Sequence, residues 1–550
     1  MILMGAILVA FICSILLVSS ALFTIGVAIS WFHIPLAAAL AAGFGWWSVT
    51  YYFLRERARV LVLALGICVA AVVSFCWVSG RIYDVGWDGQ WYHAEAILHL
   101  VNGWNPFWDA LPVGATIPTQ LSFYAKGPWI TAAALNQFVG NFESGKALHL
   151  TLMMASWLFS LAAVSTLAGL AWPYRIIVSL VLAISPVSIC QMFTYYVDGQ
   201  LCSLLMSALS LLILLDRRPD RVLMVTLTLV VVLTMNVKLN GAVYIGIITV
   251  GYWLWYVLAK RERWGELGTW LLVGGVVGGG FIGFNPYANE FLSRLYTNGY
   301  HFLFTDWLSF LQITIDGDSP PNFASMGRFE QLLASLFSRS EVLFWSPARS
   351  LRFKLLFTLS LDEIQVFWAP DVRTGGFGPL FSGALILSLT ILIIIAWKFR
   401  DVFKDSVALL LLTALVILSG IPNPKMWWAR FVPQFWAVPA LVGLIGLRSC
   451  PPARLRWVAL ALFLTLGVNN LLVASTYLQA TRRMNYRVAE QLTQLKRIGK
   501  PILVRFNRFA ATRYRFQQNG IQFVEVSTLP CDEKKRTYLA YSQSIMCSGN

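Results

Sequence analysis

Apolar runs of about 17 to 25 residues, long enough to cross a bilayer, recur along most of this chain and constrain its fold more than any other feature. About thirteen runs meet that length criterion. They lie near 3–29, 32–54, 59–79, 148–171, 176–194, 199–215, 222–236, 241–258, 266–283, 378–396, 405–421, 431–447 and 457–475. The composition agrees: 58% of residues are hydrophobic, only 12% are charged, and the mean hydropathy is +0.66. A chain of 550 residues can bury a large core without being this apolar, so much of its surface is expected to face lipid. The first run is too long for a cleaved signal peptide and is expected to be a retained helix.

Short basic connectors occur at Arg55/Arg57/Arg59, Arg217/Arg218/Arg221, Lys260/Arg261/Arg263, Lys398/Arg400/Lys404 and Arg448/Arg454/Arg456. Placing them in the cytoplasm satisfies the positive-inside rule. The N-terminus is then inside. The connectors 80–147, 195–198, 284–377 and 422–430 and the tail from about 476 face outward. The net charge is +16, and residues 476–550 hold 13 Lys/Arg against 4 Asp/Glu. Long translocated domains largely escape the rule. Solvated surface accounts for most of these charges, and an anionic partner such as lipid headgroups or a phosphorylated glycan suits the rest. No recognition motif points to nucleic acid.

The tail reads as a small extracytoplasmic α/β unit. A polar amphipathic helix is expected over 477–499, with strands over 501–506 and 521–526 and Asn519-Gly520 as a turn between them. Cys531 and Cys547 are the only cysteine pair in it, and an oxidising compartment can join them.

The chemistry lies in the outward connectors. Tyr83-Asp-Val-Gly-Trp-Asp-Gly-Gln-Trp-Tyr-His93 places Asp84 and Asp88 just past an apolar run. Carboxylates beside a bilayer are costly and persist where they react or line a polar cavity. Phe123-Tyr-Ala-Lys-Gly-Pro-Trp129 puts Lys126 at a helix start, where it can meet a phosphate or simply snorkel toward headgroups. The short helix that follows is too short to span and is expected at or just inside the interface. In Thr194-Tyr-Tyr-Val-Asp-Gly-Gln-Leu201, Asp198 either caps the next helix or faces Asp88 across a cavity. Lys238 occupies an outward hairpin turn, Asn285-Pro-Tyr287 opens a loop carrying Arg294 and His301, and Asp371-Val-Arg-Thr-Gly-Gly leads into a later span. Pro424-Lys-Met-Trp-Trp-Ala-Arg430 is an aromatic and cationic corner. Carboxylates with several cations on one membrane face suggest a site for an anionic amphiphile.

The pattern resembles the GT-C superfamily of polytopic glycosyltransferases that use polyprenyl-phosphate sugars. In plan it is similar to lipid A aminoarabinose transferases and protein O-mannosyltransferases. The segment 83–93 resembles their acidic motif, with Asp88 in the catalytic position. Tyr-Ala-Lys-Gly-Pro-Trp resembles their Tyr-x-Lys-Pro-Pro, giving Lys126 a lipid-phosphate role. Val-Asp-Gly-Gln-Leu resembles the second acidic position, giving Asp198 a site-lining or substrate-orienting role. Two departures stand out: Gly89-Gln90 replaces the usual acidic neighbour, and Gly127-Pro128 replaces Pro-Pro. The resemblance spans 59–475. Residues 1–58 are then a two-helix addition and 476–550 the outer domain.

The resemblance implies an α-helical polytopic membrane enzyme in the bacterial cytoplasmic (inner) membrane, its C-terminus outside. It moves a hexosyl or pentosyl unit from a polyprenyl phosphate to a glycan, lipid or protein acceptor. Asp88 is the expected base, with Asp84 or Asp198 orienting the acceptor or raising the base's pKa by like-charge proximity. Lys126 meets the donor phosphate, with Lys238, Arg294 and Arg430 as further cations. Tyr83, Trp87, Gln90, Tyr92, His93, Tyr124, Tyr287 and His301 are the expected lining. No cofactor or metal is expected, since the five histidines lack ligand spacing. A transporter or flippase for lipid-linked sugars is the rival reading, disfavoured because no inverted repeat is apparent. A non-catalytic scaffold for envelope polymer assembly is the third.

Overall fold

The computed structural model describes the chain except for residues 54, 167–169, 260, 283–318, 343–350, 399–405, 449–452, 510–511 and 548–550. The chain begins with α1 (Ile2–Thr24), α2 (His33–Tyr52) and α3 (Arg57–Ser79). A π-helical turn, Gly89–His93, leads into α4 (Ala94–Val101), and α5 (Pro118–Phe123) and α6 (Gly127–Val139) follow. Next come α7 (Ala147–Ser165), α8 (Trp172–Ala183), α9 (Pro186–Gln191) and α10 (Asp198–Arg217). Then follow α11 (Arg221–Val237), α12 (Leu239–Leu258) and α13 (Trp264–Ile282). Beyond these lie α14 (Arg328–Leu336), α15 (Leu361–Gln365), α16 (Phe381–Lys398), α17 (Val407–Gly420) and α18 (Ala437–Arg448). The long α19 (Ala453–Arg497) closes the bundle.

Every one of the apolar runs contains helix. Among the described residues, seven helices are long and apolar enough to cross a membrane. Shorter apolar helices accompany them at Trp172–Ala183, Arg221–Val237, Val407–Gly420 and Pro433–Leu447. The spanning stretch of α10 is wholly buried, so α10 is the centre of the bundle. On α3 the large apolar side chains Val62, Leu63, Val69, Val73 and Trp77 point outward, as a lipid-facing surface requires. This is an integral membrane protein.

Breaks in the helices have local causes. The run near 176–194 splits at Ser185-Pro186: proline cannot extend α8, and the Ser185 hydroxyl accepts from the Ser188 amide to cap α9. Asp220 caps α11 by accepting from the Leu223 amide at 2.9 Å, and it also receives the Tyr52 hydroxyl. Gly378 sits at φ +101° with the Asn469 side chain where a Cβ would stand. Asn469, fully buried in α19, receives the Leu380 amide and donates to the Phe377 carbonyl, fixing the turn before α16.

One expectation changes. The helix expected over 477–499 is the C-terminal half of α19, which runs unbroken for 45 residues from the last apolar run into the tail. No proline interrupts it, so the change in polarity near 476 marks a change of surroundings and leaves the backbone unaffected. The helix after Lys126, too short to span, is packed inside the protein. Gly127 through Asn136 on α6 are buried, packed against α1, α4 and α11.

In the tail, β1 (Ile502–Arg505), α20 (Thr512–Gln518), β2 (Phe523–Glu525), β3 (Arg536–Tyr538) and β4 (Ile545–Cys547) form a sheet in the order β2-β1-β4-β3. The pair β1 and β2 is parallel, with α20 as the crossover, and the other pairs are antiparallel. Both expected strands form, and β3 and β4 had no signal strong enough to read. Val488 and Leu492 of α19 complete the small core over Ile502, Val504, Phe506 and Phe516. Cys531 and Cys547 are bonded, which ties the approach to β3 to the end of β4.

Candidate active site

Four connectors meet where α3 ends, α10 begins and α11 turns into α12. Arg430, from the corner after α17, lies at their centre. Its guanidinium reaches Asp88 Oδ2 at 2.7 Å through Nη2, Asp198 Oδ2 at 3.0 Å through Nε, and Asp371 Oδ2 at 3.2 Å through Nη1. The planar fork suits three carboxylates arriving from three directions. Lys238 Nζ takes the other Asp198 oxygen at 2.8 Å. Gln191 Nε2 also reaches Asp198 at 3.3 Å. Asp198 therefore faces the site and leaves α10 without a side-chain cap.

Aromatic rings wall this cluster. The rings of Tyr196, Trp428 and Phe431 lie 5.1, 5.2 and 5.4 Å from the Arg430 guanidinium carbon. Such faces attract a cation that water has left. Burial alone would lower the Arg430 pKa, but the charges of Asp198, Asp371 and Asp88 outweigh it and raise it well above the ordinary value. Burial pushes the Asp371 carboxyl upward, and Arg430 opposes that shift.

Asp88 opens the π-helical turn. Its Oδ2 also receives the Tyr92 hydroxyl at 3.2 Å, and its amide donates to the Tyr196 hydroxyl at 3.2 Å. Its Oδ1 has no hydrogen-bond partner among the described residues. Of the three aspartates on Arg430, Asp198 is sealed at 1% side-chain exposure, whereas Asp88 keeps 18% and Asp371 17%, and Asp88 has a free oxygen with which to meet a ligand. Beside it, Tyr92, His93, Tyr124 and Trp129 pack ring to ring, with Tyr124 stacked on Trp129 at 5.5 Å. Burial holds His93 neutral, its pKa pushed well down. Trp129 Nε1 donates to His93 Nδ1 at 2.8 Å, so the remaining imidazole proton sits on Nε2.

Lys126, at the start of α6, donates to the Tyr124 carbonyl at 3.3 Å. Unlike Lys238 and Arg430, it has no carboxylate within ion-pair distance among the described residues. Burial without such a partner lowers its pKa to about 8.

Asp84, expected beside Asp88 in the chemistry, does not join this cluster. Its side chain receives the amides of Gly86 at 2.8 Å and Tyr195 at 2.7 Å, which shapes the turn before Asp88. Burial raises its pKa to about 6. Its own amide donates to Glu143 Oε2 at 3.2 Å, and Lys146 Nζ meets the same oxygen at 2.7 Å. Lys146 also donates to the Ile82 carbonyl. Arg515, from α20 in the tail, completes a buried set of two anions and two cations.

Other expected residues are placed as follows. The Tyr83 amide bonds Asn485 on α19, Trp87 packs edge-on against Phe509, and Gln90 bonds Arg515 and the Tyr541 carbonyl. These three face the C-terminal sheet more than the ion cluster. Arg294, Tyr287 and His301 lie outside the described residues. Sequence reasoning missed Asp371, although its Asp-Val-Arg-Thr-Gly-Gly stretch was conspicuous. It also missed Tyr196, which adjoins Asp198. Glu143, Lys146 and Arg515 carried no motif. Among the described residues no group of three His, Cys, Asp or Glu side chains is arranged to hold a metal ion. The acidic groups converge on a guanidinium.

Fold and site together define a polytopic helical membrane protein with a buried ion-pair cluster at one end of its bundle. No protein-family model matches the chain, and no curated protein matches it. Among solved structures it is similar to ArnT from Cupriavidus metallidurans bound to undecaprenyl phosphate. The identity is 12%, the TM-score is 0.41, and the match covers 84% of this chain and 85% of that one. Identity this low leaves the function to be argued from the site.

Proposed function

We propose that this protein transfers a sugar from a polyprenyl-phosphate donor to a glycan, lipid or protein acceptor on the outer face of the membrane. The observation that carries the reading is the set of three aspartates held by Arg430, with Lys126, free of any carboxylate among the described residues, bonded to the carbonyl of Tyr124, whose ring packs on Tyr92 next to Asp88. Asp88 Oδ1 accepts the proton of the acceptor hydroxyl as that oxygen attacks the anomeric carbon. The bond to the donor phosphate breaks in the same displacement, and the anomeric configuration inverts. A positioned base of this kind contributes roughly 10²–10⁴ in rate. Lys126 stabilises the charge developing on the departing phosphate. Lys238 and Arg430 were expected to share that task. Paired as they are with Asp198, Asp88 and Asp371, they are assigned here to holding the carboxylates in place. The ring of Tyr124, backed by Trp129 and Tyr92, offers an apolar wall for a sugar face or the first isoprenoid unit.

The test compares surface glycans and polyprenyl-phosphate sugars by mass spectrometry in three strains. One lacks the protein, one carries it, and one carries Asp88→Asn at matched membrane abundance. The expected result is that Asp88→Asn matches the deletion, with one sugar missing outside and its lipid donor accumulating. A normal profile in Asp88→Asn removes Asp88 from the chemistry.

A pH dependence follows from Lys126. The lysine must be charged to hold phosphate, so donor capture is complete below its pKa and is lost as the pH rises through about 8. The profile of kcat/KM reports groups on the free enzyme and is expected to fall on that limb. Lys126→Arg, charged throughout, moves the limb to higher pH. An unmoved limb assigns it to another group.

A further inference from the structure

The acidic segment is held from the far end of the chain. Asn485 on α19 donates to the Arg81 carbonyl at 3.0 Å and receives the Tyr83 amide at 2.9 Å. Arg515 on α20 donates from Nη2 to the Asp84 carbonyl at 2.6 Å, from Nη1 to Gln90 Oε1 at 2.9 Å, and from Nε to Glu143 Oε1 at 2.9 Å. Gln90 Nε2 then donates to the Tyr541 carbonyl at 2.7 Å. One side chain of the outer domain therefore grips the segment on both sides of Asp88.

The electrostatics suit a fixed seat. Arg515 has 5% of its side chain exposed, Glu143 4% and Lys146 none. With Asp84 they make two positive and two negative groups. A buried charge without its partners is costly, so the segment and the domain are stable in this seat only together. Surface attachment alone would not require a desolvated arginine.

We infer that the outer domain is a working part of the site and that Arg515 is a positioning residue, setting Asp88 by clamping residues 84 and 90. Its effect on rate rests on the transferase reading; the clamp itself does not. A guanidinium reaches three acceptors in three directions at once, whereas an ammonium at that depth holds Glu143 and leaves the segment's own acceptors unmet. Releasing the clamp displaces Asp88 without touching Lys126, so turnover falls while donor capture persists.

The test uses the full chain in detergent or nanodiscs, with Arg515→Met, Arg515→Lys and Gln491→Ala. Among the described residues Gln491 bonds only Tyr538 and Ala540, within the outer domain, and serves as the control. Hydrogen exchange of residues 83–93 and steady-state transfer are both read. In Arg515→Met, protection of 83–93 is expected to fall by about tenfold or more while the membrane helices keep theirs. In the same variant kcat is expected to fall about 100-fold, as for a misplacement near 1 Å, with KM for the lipid donor within about twofold. Arg515→Lys recovers part of both, and Gln491→Ala keeps both. Unchanged protection and kcat in Arg515→Met overturn the inference and leave the domain a tether. If Arg515→Met unfolds, Arg515→Lys decides: loss confined to 83–93 supports the clamp, and uniform or absent loss overturns it. If Asp88→Asn retains transfer, the transferase reading fails, while the exchange data still decide the clamp.

Discussion

Arg430→Met is expected to cost about 3–5 kcal/mol of stability and to abolish transfer, because it leaves buried carboxylates without their shared cation. Methionine keeps the apolar stem, reaching about as far as Nε, and none of the charge. Asp198 keeps Lys238, but Asp88 and Asp371 lose their bonds to the guanidinium and then repel one another. Relief comes from taking up protons, from admitting water or from moving the corner 422–430, and each route removes Asp88 from its working position. Arg430→Lys restores one unit of charge but cannot span three carboxylates. It is therefore expected to regain part of the stability and little of the transfer. Thermal unfolding of the purified protein, read beside transfer in membranes, checks both halves. Wild-type stability in Arg430→Met would show that the aspartates do not depend on it.

Gly89→Ala is the smallest change with a comparable effect. A Cβ at Gly89 would coincide with the Asp84 carboxylate, and that carboxylate is pinned by the amides of Gly86 and Tyr195 and cannot swing away. The π-helical turn must shift instead, carrying Asp88 with it. Displacements near 1 Å cost about 100-fold in rate, so transfer is expected to fall by that much while the helices stay folded. Gly43→Ala, where a Cβ meets nothing within 4 Å, is the matched control and should behave as wild type. Equal activity in the two variants would show that the turn tolerates movement.

The bundle was legible because its signal is local: a membrane-length apolar run has few alternatives to a helix. The meeting of Asp88, Asp198, Lys238 and Arg430 was partly legible, since each sits in a short motif at the end of such a run. What they do there was less so. Arg430 reads alone as a free cation for phosphate, and only the fold reveals three aspartates around it. Asp84 looked equivalent to Asp88 because both are acidic and four residues apart, yet backbone amides claim one and leave the other partly open. Arg515 lay deepest out of sight. Within a tail of 13 basic residues it looks like solvated surface, and its partners Glu143 and Asp84 come from the first third of the chain.

The unbroken helix α19 has a mechanical consequence. Its 45 residues span about 68 Å at 1.5 Å each, more than twice a hydrocarbon core of about 30 Å. A helix without a hinge transmits orientation, so whatever sets its angle within the lipid also sets the height of the small sheet at its far end. Membranes of different thickness tilt such helices by different amounts. Through Asn485 and Arg515 the acidic turn is thus gauged against the bilayer itself, and the depth at which the site opens is expected to follow the thickness of the membrane around it.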